Sequence, residues 1–245
     1  MTSPQTEKQF LKTYNIHDYD LPLVSVDIAI FSVIDDKLNV LIVKRAQHPR
    51  KGKWALPGGF INLSVDKTID DAAHRKLAGK TGVTNAHLEQ VVSVGNSTRD
   101  PRGWSVTIAY MALVSVDAVV LKKDDSSEEV VWTPVDRLSK NHNLAFDHSK
   151  ILESCHKRLK DKVRYTSLPV NLLPPDFTLT ELQRIFEVIL AKSVEKKSFR
   201  RRILDAQILE ETGNFRGGST RPAKLYRVTD NKTNHFFTRN IEGTR

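Results

Sequence analysis

The sequence predicts an α+β chain of two domains, the second of them a winged helix-turn-helix. Three observations carry this. Strand-like runs and separate helical patterns fill the first 159 residues, a proline-dense stretch follows, and beyond it lie two amphipathic helices and a basic hairpin. A length of 245 residues suits two modest domains, and 39% hydrophobic with 27% charged residues suits packed cores and excludes extended disorder.

Taken in order, the first strong signal is Leu23 to Ile34, β-branched and apolar, followed by Asp35-Asp36 and a second alternating run from Leu38 to Val43. Two acidic turn residues between two such runs predict a β-hairpin. Further strands are expected at His87 to Val94, Val106 to Val116 and Val130 to Trp132. Thr68 to Lys80 lacks proline and spaces Ile69, Ala72, Ala73 and Leu77 as a helix does, and a second helix is expected from Asp147 to about Lys160. Pro169, Pro174 and Pro175 mark Tyr165 to Asp176 as a linker, so the division is drawn as 1–159 and 160–245.

In the second domain, Thr178 or Thr180 caps a helix running to Lys192, with Leu182, Ile185, Phe186 and Ile189 as its apolar stripe. A second helix runs from about Lys196 to Ala206. Ile208 to Phe215 and Lys224 to Thr229 are expected as strands joined by the basic, glycine-containing loop Arg216 to Pro222.

Charge is distributed unevenly. The formal net charge is +9, but residues 1–159 hold 21 basic and 19 acidic side chains, against 17 and 10 in residues 160–245. The second domain therefore carries most of the excess, which points to a polyanionic partner. Lys192, Lys196, Lys197, Arg200, Arg201 and Arg202 place six cations in eleven positions. With Phe199, Ile203 and Ala206 turned inward at 100° per residue, Lys197, Ser198, Arg201 and Asp205 face out. This is the pattern of a recognition helix entering a major groove, with Arg216, Arg221 and Lys224 on a wing against the backbone of double-stranded DNA.

Other functional classes are excluded or weakened. Cys155 is the single cysteine, so no intrachain disulfide and no paired-cysteine zinc site is expected, and it reads as a small buried hydrophobe. Residues 1–15 lack the apolar block of a signal peptide, and the run from Leu21 to Ile34 is interrupted by Asp27 and too short to span a bilayer, so a cytoplasmic protein is expected.

In the first domain, Leu56-Pro57-Gly58-Gly59-Phe60, then Arg75, Leu77 and Thr81-Gly82-Val83, resemble the Nudix box, G-x5-E-x7-R-E-U-x-E-E-x-G-U. The resemblance covers about the first 155 residues and implies an α/β/α sandwich. Aligned on Gly82, the loop after Gly59 is two residues longer than the family form. The family's glutamates share a helix face and hold Mg²⁺ against a pyrophosphate. Here the helix positions are Lys76, Gly79 and Lys80 and the glutamate expected before the helix falls at Lys67, so three cations and a glycine replace four carboxylates, no metal is expected at the box, and no catalytic residue is assigned.

A degenerate Nudix domain before a winged helix is similar to the Nudix-related transcriptional regulators of NAD metabolism. Thr98 to Gly103, Leu144 to His148, Tyr165-Thr166 and Ser198 to Arg201 match as well. The resemblance implies a homodimeric repressor of NAD biosynthesis or salvage genes, bound to a palindromic operator, whose effector is ADP-ribose or a related NAD metabolite. No other cofactor is implied. Arg45, Arg99, Arg102 and the backbone of Gly58-Gly59 are the candidates for the diphosphate, and Phe146 or Trp104 for stacking on adenine. The alternative is an active ADP-ribose pyrophosphatase whose metal ligands, Glu89, Asp100, Glu128 or Glu129, lie outside the box.

Overall fold

The computed structural model describes residues 6–141, 144–217, 222–229 and 233–241. A short helix α1 (Glu7–Thr13) and a 3-10 turn at Ile16–Asp18 lead into β1 (Leu23–Ile34) and β2 (Lys37–Arg45). These two strands form the expected hairpin, and Asp35 and Asp36 take φ of 48° and 56°, the left-handed pair of a type I′ turn. Two short strands, β3 (Trp54–Ala55) and β4 (Gly58–Phe60), precede α2 (Ile69–Thr81). β5 (His87–Asn96), β6 (Ser105–Leu113), β7 (Ser127–Pro134), α3 (Val135–Asn141) and α4 (His148–Val163) complete the first domain.

β1 runs parallel to β6 and antiparallel to β2, with β5 outside β6, β7 on β2, and β3 and β4 as additions to β2 and β1. Alternation along β1 sends Val26, Ile28 and Ile30 to one face, where Ala72, Ala73 and Leu77 of α2 cover them. Ala29 and Phe31 go to the other face, against Ile151, Leu152, Cys155 and Leu159 of α4. Helices on both faces make the expected sandwich. Thr68 caps α2 through a reciprocal bond with Asp71, and Gly82 closes it at φ 72°.

The second domain holds α5 (Leu179–Leu190), α6 (Lys196–Asp205), β8 (Leu209–Arg216) and β9 (Ala223–Val228), the two helices and hairpin of the expected winged helix. Thr178, rather than Thr180, is the cap of α5, in a capping box with Glu181. Phe199 meets Phe186 edge to face at 5.3 Å, a contact worth about 0.5–1.5 kcal/mol beyond its buried area. Between the helices, Glu187 accepts the Val194 amide at 2.9 Å and Gln183 donates to the Val194 carbonyl at 3.0 Å, so the turn that aims α6 is tied at both sides.

Two expectations about the boundary are corrected. The cut after Leu159 passes through α4, which continues to Val163. The proline-dense stretch is no loose linker either. Leu168, Val170 and Leu172 are buried in a 3-10 turn that accepts Pro169 in its first positions, where the missing N–H costs nothing. Residues 235–241 bind back to it, Phe237 N–H donating to Tyr165 O at 2.7 Å and Ile241 N–H to Arg164 O at 2.6 Å. One apolar cluster joins the α4 face of the sheet to α5 and α6, and Arg184 of α5 pairs with Asp36 of the first hairpin at 2.7 Å.

Candidate functional site

Gly58 and Gly59 are shaped by close approach. A Cβ on Gly58 would lie 2.2 Å from Asp27 Oδ1 and 2.4 Å from Val26 O, so only glycine lets β4 pair with β1 there. Gly59, at φ 141°, would press a Cβ against Lys76 Nζ at 2.7 Å. Beside them opens a cavity of about 520 Å³, within the range of small-molecule sites. Its walls include Arg45, Gly58, Gly59, Arg99, Arg102 and Phe146 from the predicted set. Arg75, Lys76 and Lys80 from the box helix line it too, although none of them was assigned to the effector.

Four of the six cations already have carboxylates. Arg75 holds Asp66 through two bonds of 2.7 and 2.5 Å, which keep the Asp66 carboxyl near a pKa of about 2. Lys80, almost fully buried, pairs with Asp124 at 2.6 Å and donates to Ser127 Oγ at 2.7 Å. Arg99 is 5% exposed and forks onto Asp147 at 2.8 and 3.0 Å, with Asp27 at 3.7 Å. Arg102 forks onto Asp100 and lies 4.7 Å over the Phe60 ring.

Arg45 and Lys76 differ. Among the described residues no carboxylate pairs with either at salt-bridge distance. Arg45 donates to Pro49 O at 2.9 Å and sits 5.0 Å over Phe146. Burial lowers the pKa of both groups, helped by Arg102 beside Arg45 and by Arg75 beside Lys76. Both are half-buried, and desolvation raises the energy of such a cation where no carboxylate touches it, a cost that a bound anion relieves. Arg45, which lies over the aromatic face of Phe146, and Lys76 are therefore the cavity cations that no carboxylate contacts among the described residues.

Asp27, which the sequence shows only as an interruption in an apolar run, is the hub beneath these groups. It accepts from Thr107 Oγ1 at 2.7 Å, faces Arg99 at 3.7 Å and lies 3.6 Å from His148 Nε2. His148 Nδ1 in turn accepts the Leu56 amide at 2.9 Å, and burial holds this imidazole below its usual pKa. Phe146, Asp147 and His148 are thus fixed where α4 begins.

Trp104 is not brought to this cavity. It lies just before β6 with its ring over Gly95, 52% exposed, in a separate groove. The carboxylates weighed as relocated metal ligands are dispersed. Glu89 pairs with Lys162 at 2.5 Å, Asp100 with Arg102, and Glu128 and Glu129 with Lys44. On the box helix, the ammonium groups of Lys76 and Lys80 and the bare Gly79 do not fit a hard divalent cation, which takes oxygen ligands. Cys155 is fully buried, with its thiol pushed up to about 12 by burial.

The second surface is the basic face of α6. Phe199 and Ile203 are buried, while Lys192, Lys196, Lys197 and Arg201 are exposed and Ser198 is half-buried. Arg200 and Arg202 do not share that face. Both are half-buried, and Arg200 donates to Thr180 Oγ1 at 3.1 Å. Among the described residues the wing cations are paired within the chain. Arg216 binds the Glu181 carboxylate and donates to Asp176 O at 3.1 Å, and Lys224 meets Glu211 at 2.8 and 2.9 Å. Arg227, absent from the predicted set, meets Asp176 at 2.8 Å. Arg221 lies outside the described residues.

Comparison with known proteins follows this division. Residues 24–155 match the NUDIX domain model and residues 169–228 the NrtR DNA-binding winged helix domain. The chain is 45% identical over 240 residues to the ADPR responsive transcriptional repressor NtrR of Acinetobacter baylyi, covering 98% of this chain and 95% of that protein. The crystal structure of Shewanella oneidensis NrtR complexed with a 27mer DNA superposes with a TM-score of 0.81 at 41% identity, covering 89% of this chain and 99% of that one. The NUDIX domain of the same protein complexed with ADP ribose matches 63% of this chain and 99% of its own at 40% identity, with a TM-score of 0.59.

Proposed function

Because this chain belongs to the Nudix family, in the group carrying an NrtR-type DNA-binding winged helix domain, we propose that it is a transcriptional repressor whose Nudix domain senses ADP-ribose. It acts in the cytoplasm as a homodimer on a palindromic operator of NAD biosynthesis or salvage genes. Helix α4 is its domain junction, and the Nudix domain has no hydrolytic activity. The observation that carries this reading is the conversion of a metal-holding helix face into a cationic wall, with Lys76 and Lys80 in the cavity where carboxylates would hold Mg²⁺.

The parts work as follows. Arg45 and Lys76 meet the diphosphate, Phe146 offers a face to the adenine, and Arg99 and Arg102 hold the carboxylates that shape the wall. Lys196, Lys197 and Arg201 approach the major groove, in half-sites about 34 Å apart or a multiple of that. Phe146 and the capping position Asp147 lead into His148, the first residue of α4, which packs on α5, so occupancy of the cavity and the setting of the reader share one helix. Coupling of about 1–3 kcal/mol is enough for a 5- to 150-fold change in operator affinity.

A band-shift titration tests this. ADP-ribose is expected to release operator DNA, and indifference to every NAD metabolite would remove the sensor. Incubation with ADP-ribose and Mg²⁺ is expected to yield no AMP, and turnover would restore the hydrolase reading.

A further inference from the structure

Every residue from Thr6 to Pro22 is exposed, yet this arm is rich in large apolar side chains. Phe10, Leu11, Tyr14, Ile16, Tyr19 and Leu21 are 44 to 61% exposed. Phe10, Tyr14 and Tyr19 stand in a ladder, with ring centroids 5.3 and 5.9 Å apart. Thr6 and Gln9 form a capping box on α1, so the helix that carries part of the ladder is defined locally. Contiguous exposed apolar surface of this kind marks an interaction site.

A matching surface lies at the root of the same arm. Leu23 N–H donates to Trp104 O at 3.0 Å where β1 meets β6, and a groove of about 550 Å³ opens there between Asp20 to Leu23 and Arg102 to Trp104. Trp104 is half-exposed in it although tryptophan is among the costliest side chains to leave in water.

We propose that the arm of residues 6–19 docks on the Trp104 groove of a second copy of this chain, and that the second copy's arm docks reciprocally. The arm and the groove meet at one point of one chain. A two-fold axis passing beside that point brings each arm to the other's groove, the self-complementary arrangement of a closed dimer. Area agrees. An aromatic side chain offers about 150–250 Å², of which roughly half is exposed on Phe10, Tyr14, Tyr19 and Trp104, or about 400 Å² per protomer. With Leu11, Ile16 and Leu21 added, two arms hide on the order of 1,000 Å² or more, the threshold of a specific interface.

The arrangement rests on the dimeric reading above and gives it a location. It also touches the sensor, because Arg102 belongs both to the groove and to the effector cavity, where it pairs with Asp100 over Phe60. A partner seated on the groove lies one residue from the cavity wall.

Analytical ultracentrifugation of the full chain decides, with calorimetric ADP-ribose binding as the check on folding. The wild type is expected to be dimeric. Phe10→Asp with Tyr14→Asp, and separately Trp104→Ala, are expected to raise the dimer dissociation constant by about 30-fold or more, while the arm variant keeps its ADP-ribose affinity. Variants as dimeric as the wild type would overturn the arm as the interface and leave the repressor reading intact. Loss of the dimer in the variants, from a wild type that binds neither ADP-ribose nor operator, would uphold the arm and sink the repressor. A monomeric wild type that sediments with anionic lipid vesicles would assign the arm to a membrane surface and overturn the proposal.

Discussion

Glu181→Gln is expected to make the protein bind its operator more tightly. Glu181 performs two tasks in the free chain. One carboxylate oxygen closes the α5 capping box with the Thr178 amide and hydroxyl at 2.7 and 3.0 Å, and the other holds Arg216 of the wing. Glutamine keeps an oxygen for the cap and loses the charge that holds the arginine. An ion pair of this exposure, with side chains 44% and 37% accessible, contributes about 0.2–1 kcal/mol. That amount is no longer lost when Arg216 turns to a phosphate, so affinity should rise about 1.4- to 5-fold. The salt dependence gives a second reading. If Arg216 then neutralises one more phosphate, the slope of log K against log salt should steepen by about 0.9. Fluorescence anisotropy with an operator duplex at several salt concentrations measures both quantities. Weaker binding with an unchanged slope, in a variant that melts like the wild type, would refute the idea that Glu181 and DNA compete for Arg216.

Three further outcomes follow from the cavity and its supports. Arg45→Ala should lose charge-assisted bonds worth about 1.5–3 kcal/mol and weaken ADP-ribose about 10- to 150-fold by calorimetry. An unchanged affinity would remove Arg45 from the diphosphate. Gly58→Ala must displace β4 from Val26 and Asp27, at a cost of about 1–3 kcal/mol or roughly 2–12 °C in Tm, and a melt within a degree of wild type would contradict the close approach. For pH, burial holds His148 below its usual 6.5 and drives His156 to about 4, so both are neutral in the fold and take a proton on unfolding. The stability they contribute is whole above about 6.5 and drains as pH falls toward 4, so Tm should decline across that window and His156→Gln should flatten the decline. A Tm independent of pH between 7 and 4.5 would show that the two imidazoles are solvated.

The hairpin at Asp35-Asp36, the helix after Thr68 and the apolar stripe of α5 were legible in the sequence because each signal is local. The linker was misjudged for a related reason. Prolines are conspicuous, whereas the burial of Leu168, Val170 and Leu172 depends on residues 235–241 returning from the far end of the chain. In the cavity, Phe146 comes from a family-matching segment, whereas Arg45 lies in none of them and is carried to the wall by the end of β2. Arg99 is different, since its partner Asp147 lies 48 positions away and only the fold makes them neighbours. Trp104 failed because an aromatic beside a glycine-containing loop reads the same whichever way its strand turns. Lys76 was noticed for the charge that it lacks, and its burial, which makes it an anion-seeking group, is a property of packing.

Helix α4 has a mechanical meaning. Its 16 residues make a rod of about 24 Å whose first turn is gripped at the nucleotide cavity and whose last turn lies among the side chains of the reader domain. A rod pivoted at one end magnifies motion. Tilting it by about 5° carries the far end about 2 Å, the size of helix shift that repositions subunits in known switches. Because the residues between rod and reader are packed in a buried 3-10 turn, such a stroke passes on with little damping, and in the dimer proposed above it would set the spacing of two reading heads by what fills the cavity.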